Sequence, residues 1–253
     1  MKRIYYIILL VCLVGFSACK KTIDLYPQSN QNANTYYSNF EEVRTGLTAC
    51  YNGMQRSLFN EWQFTELRSD NAKQGSPGST ASGNRDLSDL DMFIPATTQQ
   101  QIYNYWLATY NNIRNTNIVL ENLGVVYDPA SGALTFNSIT IPISENDRKQ
   151  LAGEALVIRA YHYFNLVRLF GGVFLVHKPI TGPEAKTLNR VSVADIYKLI
   201  EADLKTASAS LSALKFNQVV AANVGRASSW AAKGLLGKVY LTLNRKADAI
   251  AQL

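Results

Sequence analysis

Histidine and cysteine are scarce in this 253-residue chain, with two of the first and three of the second. His162 and His177 have no second His or Cys at ligand spacing, which excludes a zinc finger or a comparable metal centre. Glycine patterns that cradle phosphates or dinucleotides are absent. Gly75-Ser76-Pro77-Gly78 is no nucleophile elbow, because a proline beside the serine makes it a turn. Asp86, Asp89 and Asp91 cluster without the spacing and turn glycine of an EF-hand loop. A glycosidase needs two carboxylates about 5 to 9.5 Å apart, and no Asp/Glu pair stands out as that couple. Blocks of like charge are missing beyond Lys20-Lys21, so nothing points to nucleic acid. The apolar run Ile4 to Val14 is eleven residues long, short of the about 20 that a spanning helix takes. These absences set the expectation of a protein with no catalytic residues, no metal and no cofactor.

What is present begins at the N-terminus. Lys2-Arg3, the Ile4–Val14 core and the small residues before Cys19 make a secretory signal. Gly15-Phe16-Ser17-Ala18-Cys19 resembles the lipobox of bacterial lipoproteins, with Phe16 where leucine is usual. In those proteins the thiol takes a diacylglycerol, the signal is cut before the cysteine, and the new amino group is acylated. Cys12 is the poorer candidate, since bulky Val11 precedes it and cleavage there would halve the apolar core. Each buried methylene contributes ~0.8 kcal/mol and stable anchoring takes two chains, so a multiply acylated Cys19 would hold the protein on a membrane. The alternative is an ordinary secreted protein with a coincidental cysteine.

Removal of Lys2 and Arg3 with the signal lowers the net charge from +6 to +4, mildly basic. Cys50 is then the one thiol left, in an apolar helical pattern that predicts burial, and no intramolecular disulfide can form. Aromatics are plentiful, with 14 Tyr, 10 Phe and 3 Trp, and Asn is frequent in the first half. Rings that stack on sugar C–H faces and amides that bond hydroxyls suit glycan binding, but they suit helix packing equally.

Periodicity predicts a mainly helical fold. A tether from 19 to 38 leads to a helix starting near Asn39, with Phe40, Val43, Leu47, Cys50, Tyr51, Met54 and Leu58 on one stripe. Leu67 to Gln100, rich in Gly and Ser, reads as one long loop. A second helix follows from Gln99, with Ile102, Trp106, Ile113, Asn117, Leu120 and Leu123 near one face; on that stripe Trp106 reads as core. Residues 127–142 read as a loop with short extended pieces. Ser144 and Asp147 open a third helix whose apolar pattern from Leu151 to Phe170 leaves little polar face, so it should be central, with His162 in the core. Gly171-Gly172 should end it. Ser192 and Asp195 cap a fourth. A fifth begins after Gly225, with small residues Ala227, Ala231, Gly234 and Gly237 where a neighbour would approach, and a sixth begins near Arg245. The last two look like a tetratricopeptide-type pair, although no strict 34-residue period runs through the chain.

The run from Gly153 to Val173, Gly-Glu-Ala-Leu-Val-Ile-Arg-Ala-Tyr-His-Tyr-Phe-Asn-Leu-Val-Arg-Leu-Phe-Gly-Gly-Val, closely resembles the signature helix of SusD/RagB proteins. Three more stretches agree in order: Cys19 to Pro27, Trp106 to Asn117, and Arg190 to Leu204. Gly225-Arg226-Ala227, leading into Lys238-Val239-Tyr240-Leu241, fits as well. Phe174 stands where the family usually has proline. The resemblance implies a mainly α, tetratricopeptide-like array of helix pairs with long loop insertions. It divides the chain into a signal peptide (1–18), a tether (19–38), a SusD-like N-terminal domain (39–215) and the start of a C-terminal region (216–253). Family members are usually much longer and this sequence stops inside a helix, so a C-terminally truncated portion is expected.

By the same resemblance the protein would be a surface-exposed lipoprotein of the outer membrane. It would bind glycans or other nutrient oligomers without cleaving them and pass them to a SusC-like TonB-dependent transporter. Ser69-Asp70-Asn71 matches the family's stretch at the mouth of the variable loop, which makes Asp70 and Asn71 candidate ligand contacts. Arg85 would donate to the same sugar. Asp70 has an equal alternative as a turn cap. No Trp lies between Trp62 and Trp106, so specificity for starch is not implied. From another class, the competing expectation is a scaffold lipoprotein whose helices bind only protein.

Overall fold

The computed structural model describes residues 36–74 and 85–252. Six of its elements form an array in which each helix packs on the next, and they are mostly the helices that periodicity predicts: α1 (Phe40–Thr65), α3 (Gln100–Asn122), α4 (Glu145–Phe170), α6 (Val193–Ser210), α7 (Ser229–Thr242) and α8 (Lys246–Ile250). Two short helices lie between them, α2 (Arg85–Asp91) and α5 (Gly182–Thr187). Antiparallel strands β1 (Val125–Asp128) and β2 (Ala133–Phe136) make a hairpin with Val125 opposite Phe136.

The caps explain the helix starts. Asn39 Oδ1 accepts from the Glu42 amide at 3.1 Å, Ser144 Oγ from Asp147 at 3.1 Å, and Ser192 Oγ from Asp195 at 3.1 Å. Each satisfies an amide that has no partner within its helix, worth about 1 kcal/mol. At the other end of α4, Gly171 adopts φ 69°, where a side chain would be strained. Its neighbour Gly172 is needed for room, because a Cβ there would stand 2.4 Å from the Val191 carbonyl oxygen.

α4 is the centre of the array. Leu156, Ile158, Tyr163, Phe164 and Leu166 are buried, and α1, α3, α6 and α7 all touch it. Burying a Leu, Ile or Phe contributes about 1.5–3 kcal/mol, so this helix carries much of the stability. Several of its buried polar groups reach partners on other elements, although His162 Nδ1 and Asn165 Nδ2 have none. Arg148 Nε donates to the Leu123 carbonyl at 2.9 Å, closing the C-terminal end of α3, where a cation is favoured. Glu154 accepts from Tyr51 Oη at 2.8 Å and pairs with Arg226 at 2.9 Å. His162 is in the core as expected; its Nε2 lies 2.8 Å from Asn112 Nδ2, and burial lowers its pKa to about 4. Cys50 is buried too, its thiol pushed up to about 11.

Some expectations need correction. Leu58 is 46% exposed rather than on the core stripe, because at that turn of α1 the inward position is Ser57, 1% exposed. The stretch expected to be a single loop contains α2, held by side chains: Asp91 Oδ2 accepts from Gln74 N at 3.0 Å, and Gln99 Nε2 donates to the Asp86 carbonyl at 2.6 Å. α5, not anticipated, is a capping box: Glu184 returns to Thr181 N at 2.7 Å while Thr181 caps Glu184. Of the small residues on α7, Gly237 faces α8, where an added Cβ would stand 3.7 Å from Ala249 O, whereas Gly234 and Ala231 face outward. Among the described residues, no helix is long and apolar enough to cross a membrane.

Candidate functional site

Beyond Gly171-Gly172 the chain forms a strap, residues 173–178, that lies across α3 and α4. It belongs to no sheet; one isolated bridge joins Phe174 to Arg190, with Val191 N donating to the Val173 carbonyl at 2.9 Å. Side chains from behind supply most of its hydrogen bonds. Tyr110 Oη donates to the Phe174 carbonyl at 2.9 Å. Tyr163 Oη accepts from Val176 N at 2.7 Å, and Asn117 Nδ2 donates to Val176 O at 2.7 Å. Arg159 Nη1 reaches the His177 carbonyl at 3.0 Å.

Arg159 is the keystone of this arrangement. Its Nε and Nη2 grip both carboxylate oxygens of Asp203 on α6, at 2.8 and 2.7 Å, and Nη1 also meets Asn117 Oδ1 at 3.0 Å. The two side chains are 1% and 0% exposed. Burial pushes the Asp203 carboxyl above its ordinary range, and the bidentate guanidinium opposes that. A charge this deep persists only because each polar atom is matched.

In front of the strap lies an aromatic face. Tyr103, Trp106, Tyr110 and Arg114 follow one another on α3 at steps of three, four and four residues and so share one side of the helix, a stripe about 16 Å long. Trp106 stacks with Tyr110 (4.9 Å between centroids) and meets Phe170 (5.1 Å) and Phe174 (6.0 Å) edge to face. The Arg190 guanidinium stands 5.8 Å from the Trp106 ring centre. Trp106 is therefore half-buried, and its assignment to the core is corrected: it backs on the core but lines an open cavity of about 370 Å³ with Thr98, Gln100, Tyr103 and Arg190. A second cavity of about 460 Å³ follows on the other side of the aromatic cluster, lined by Tyr110, Arg114, Phe174, Lys178, Thr181 and Leu188. Burial raises the Tyr110 hydroxyl well above its ordinary pKa, so it stays a donor. The two cavities share no lining residue and are linked through the Trp106–Tyr110 and Trp106–Phe174 ring contacts; this stretch of surface, the trough, carries aromatic, amide, hydroxyl and cationic groups, the composition of a site for small polar ligands.

Asp70, Asn71 and Arg85, singled out from sequence, line neither cavity. Asp70 and Asn71 are exposed just past α1, where Ser69 Oγ bonds the Glu66 carbonyl (2.7 Å) and accepts from Asn71 N (3.3 Å). Arg85 is exposed at the start of α2; its carboxylate neighbour is Asp89, at 3.8 Å, and no ion pair or hydrogen bond joins it to Asp70. Asp86 beside it accepts from Gln100 N at 3.3 Å, which connects α2 to the first cavity. Asp86, Asp89 and Asp91 each hold a separate partner, and among the described residues no group of His, Cys, Asp and Glu could hold a metal ion. Cys19 lies outside the described residues. Sequence reasoning missed Tyr103, Arg114, Phe174 and Lys178 as site residues; the three- and four-residue spacing of Tyr103, Trp106, Tyr110 and Arg114 was the available signal.

Residues 23–241 match a family described as SusD-like, "starch-binding associating with outer membrane". Similar proteins include a SusD-like protein of Bacteroides ovatus, 26% identical over 232 residues, which are 89% of this chain and 37% of that protein. SusD-like protein P2 of Formosa agariphila is 24% identical over 244 residues, 95% of this chain and 43% of that one. Among solved structures, a laminarin-binding SusD-like protein superposes with TM-score 0.72 at 27% identity, covering 85% of this chain and 43% of that one. A SusD-like protein of Bacteroides fragilis gives 0.68 at 26%, covering 87% and 38%. The chain thus spans about two fifths of the length of the curated relatives it matches.

Proposed function

The chain belongs to the SusD-like family, and on that footing we propose that it is an outer-membrane lipoprotein, anchored through Cys19 and exposed on the cell surface. In this reading it binds oligosaccharides or similar nutrient oligomers, leaves them intact, and delivers them to a SusC-like TonB-dependent transporter. The observation that carries the binding step is the aromatic face of α3: Tyr103, Trp106 and Tyr110 in line, with Gln100, Thr98 and Arg190 beside them. Rings offer flat apolar surface to sugar C–H faces, while amides and hydroxyls orient the hydroxyl groups. Asp70, Asn71 and Arg85, which line neither cavity, would add contacts of their own. The family description and the laminarin-binding relative support a carbohydrate ligand.

Calorimetric titration of the purified chain against a panel of oligosaccharides tests the reading. At least one oligomer should bind, and Trp106→Ala should weaken it about tenfold, the worth of a lost aromatic platform of 1–2 kcal/mol. Absence of binding across the panel, or a Trp106→Ala variant equal to the parent, would refute it. Release of shortened sugars would instead revive an enzyme.

A second reading, a scaffold that binds protein, draws on the groove between α1 and α3. There Phe59 is 73% exposed and lines, with Leu107, Asn60 and Asn104, an open cavity of about 490 Å³. Amides make up half of its wall, which suits a protein surface less well than a wholly apolar groove would.

A further inference from the structure

The trough along α3 has an uneven charge. Neither of its two cavities has a carboxylate in its lining, yet Arg190 lines the first and Arg114 and Lys178 line the second. Among the described residues none of these three cations is in an ion pair. Glu184, the carboxylate whose ionisation Lys178 favours, is turned back into the cap of its own helix, accepting from Thr181 N and Oγ1 at 2.7 and 2.8 Å. Arg190 donates to the Gly172 carbonyl at 3.3 Å and rests near Trp106, which orients the guanidinium without neutralising it. The cleft beside Arg226 is the contrast: Arg44 and Arg226 line it with Asp147 and Glu154, and Glu154 is paired with Arg226.

Neutral sugars offer hydroxyl donors that are best met by carboxylates, carbonyls and amides. A trough with three unmatched cations and no carboxylate acceptor lacks half of that set. Its strongest available bonds go to anionic oxygens, for which guanidinium and ammonium groups are the matching donors. The hydrogen bonds to the strap fix its backbone at Phe174, Val176 and His177, which sets where the chain enters Lys178.

We propose that this trough selects acidic oligosaccharides, bearing uronate or sulfate groups, with Trp106, Tyr110 and Phe174 under the sugar rings and Arg114, Lys178 and Arg190 on the anionic substituents. The inference rests on the glycan-binding reading above and narrows it to a ligand class. Calorimetric titration of the full chain with tetragalacturonate, a sulfated galactan tetramer and neutral cellotetraose, at 0.1 and 1 M salt, tests it. One of the two acidic tetramers should bind about tenfold or more tightly than the neutral one. The preference should collapse at high salt, where screening shortens from about 10 Å to about 3 Å. The exposed pair Arg114→Gln/Lys178→Gln should erase the preference while thermal melting stays unchanged. Which acidic tetramer binds distinguishes carboxylate from sulfate. Equal or tighter binding of cellotetraose, no binding of either acidic tetramer, or a preference that survives both high salt and the double substitution overturns the inference; the glycan-binding reading falls separately, on absence of binding across the wider panel.

Discussion

Removing the Asp203 carboxylate is the sharpest probe of how the site is supported. Asp203→Ala leaves the Arg159 guanidinium at 1% exposure with Nε and Nη2 stripped of their acceptors, while Nη1 keeps Asn117 and the His177 carbonyl. Breaking a buried pair from one side costs about 3–5 kcal/mol. Removing both charges, as in Arg159→Met/Asp203→Leu, eliminates the stranded charge but leaves Asn117 Oδ1 and the His177 carbonyl short of a donor, at about 1–3 kcal/mol each. The double variant therefore lies close to the single in total stability, and far above the sum of Asp203→Leu and Arg159→Met measured separately. Urea unfolding followed by circular dichroism reads this as a drop of about 1–2 M in the midpoint for Asp203→Ala. A loss under 1 kcal/mol for Asp203→Ala, or additive losses in the cycle, would refute the pairing as the support of the strap.

Three further outcomes are expected. His162 is held neutral by burial, with a folded pKa of about 4 against about 6.5 unfolded, so its share of stability is present above pH 6.5 and drains away as pH falls toward 4. About 3 kcal/mol is at stake, and His162→Gln should flatten the urea midpoint between pH 6.5 and 4.5 relative to the parent; parallel profiles would contradict it. Cys19→Ala should move the protein from membrane to soluble fractions of cells, and unchanged partition would count against the lipid anchor. Gly172→Ala should lower the melting temperature, because its Cβ would press to 2.4 Å from a backbone oxygen, Val191 O, that has no flexible end to swing away.

Helix positions were legible because they are written in local chemistry. Ser144–Asp147, Ser192–Asp195 and Gly171 are caps whose partners lie within a few residues, and the structure uses each of them so. The Gly153–Val173 run carried the family assignment for the same reason: an all-round apolar helix is a continuous signal. Juxtaposition was not legible. Arg159 sits in the middle of that helix, and its partner Asp203 lies 44 positions away, so nothing local names it. Trp106 was read as core alone because core stripes and cavity-lining stripes share the three- and four-residue step; it packs on the core and also borders a cavity, and only the placement of α4 and the strap decides which side is covered. Asp70 and Arg85 were assigned to one sugar from the family resemblance; what local spacing does name is the ion pair of Arg85 with Asp89, one turn on.

The strap separates two duties that a sheet would combine. A strand is held by neighbours in its own plane, so its register constrains both of its surfaces. Here Asn117, Tyr163 and Arg159 clasp the backbone from the rear, and Phe174 and Lys178 are left to line the cavity in front. A facing mounted in this way can be exchanged residue by residue on an unaltered frame.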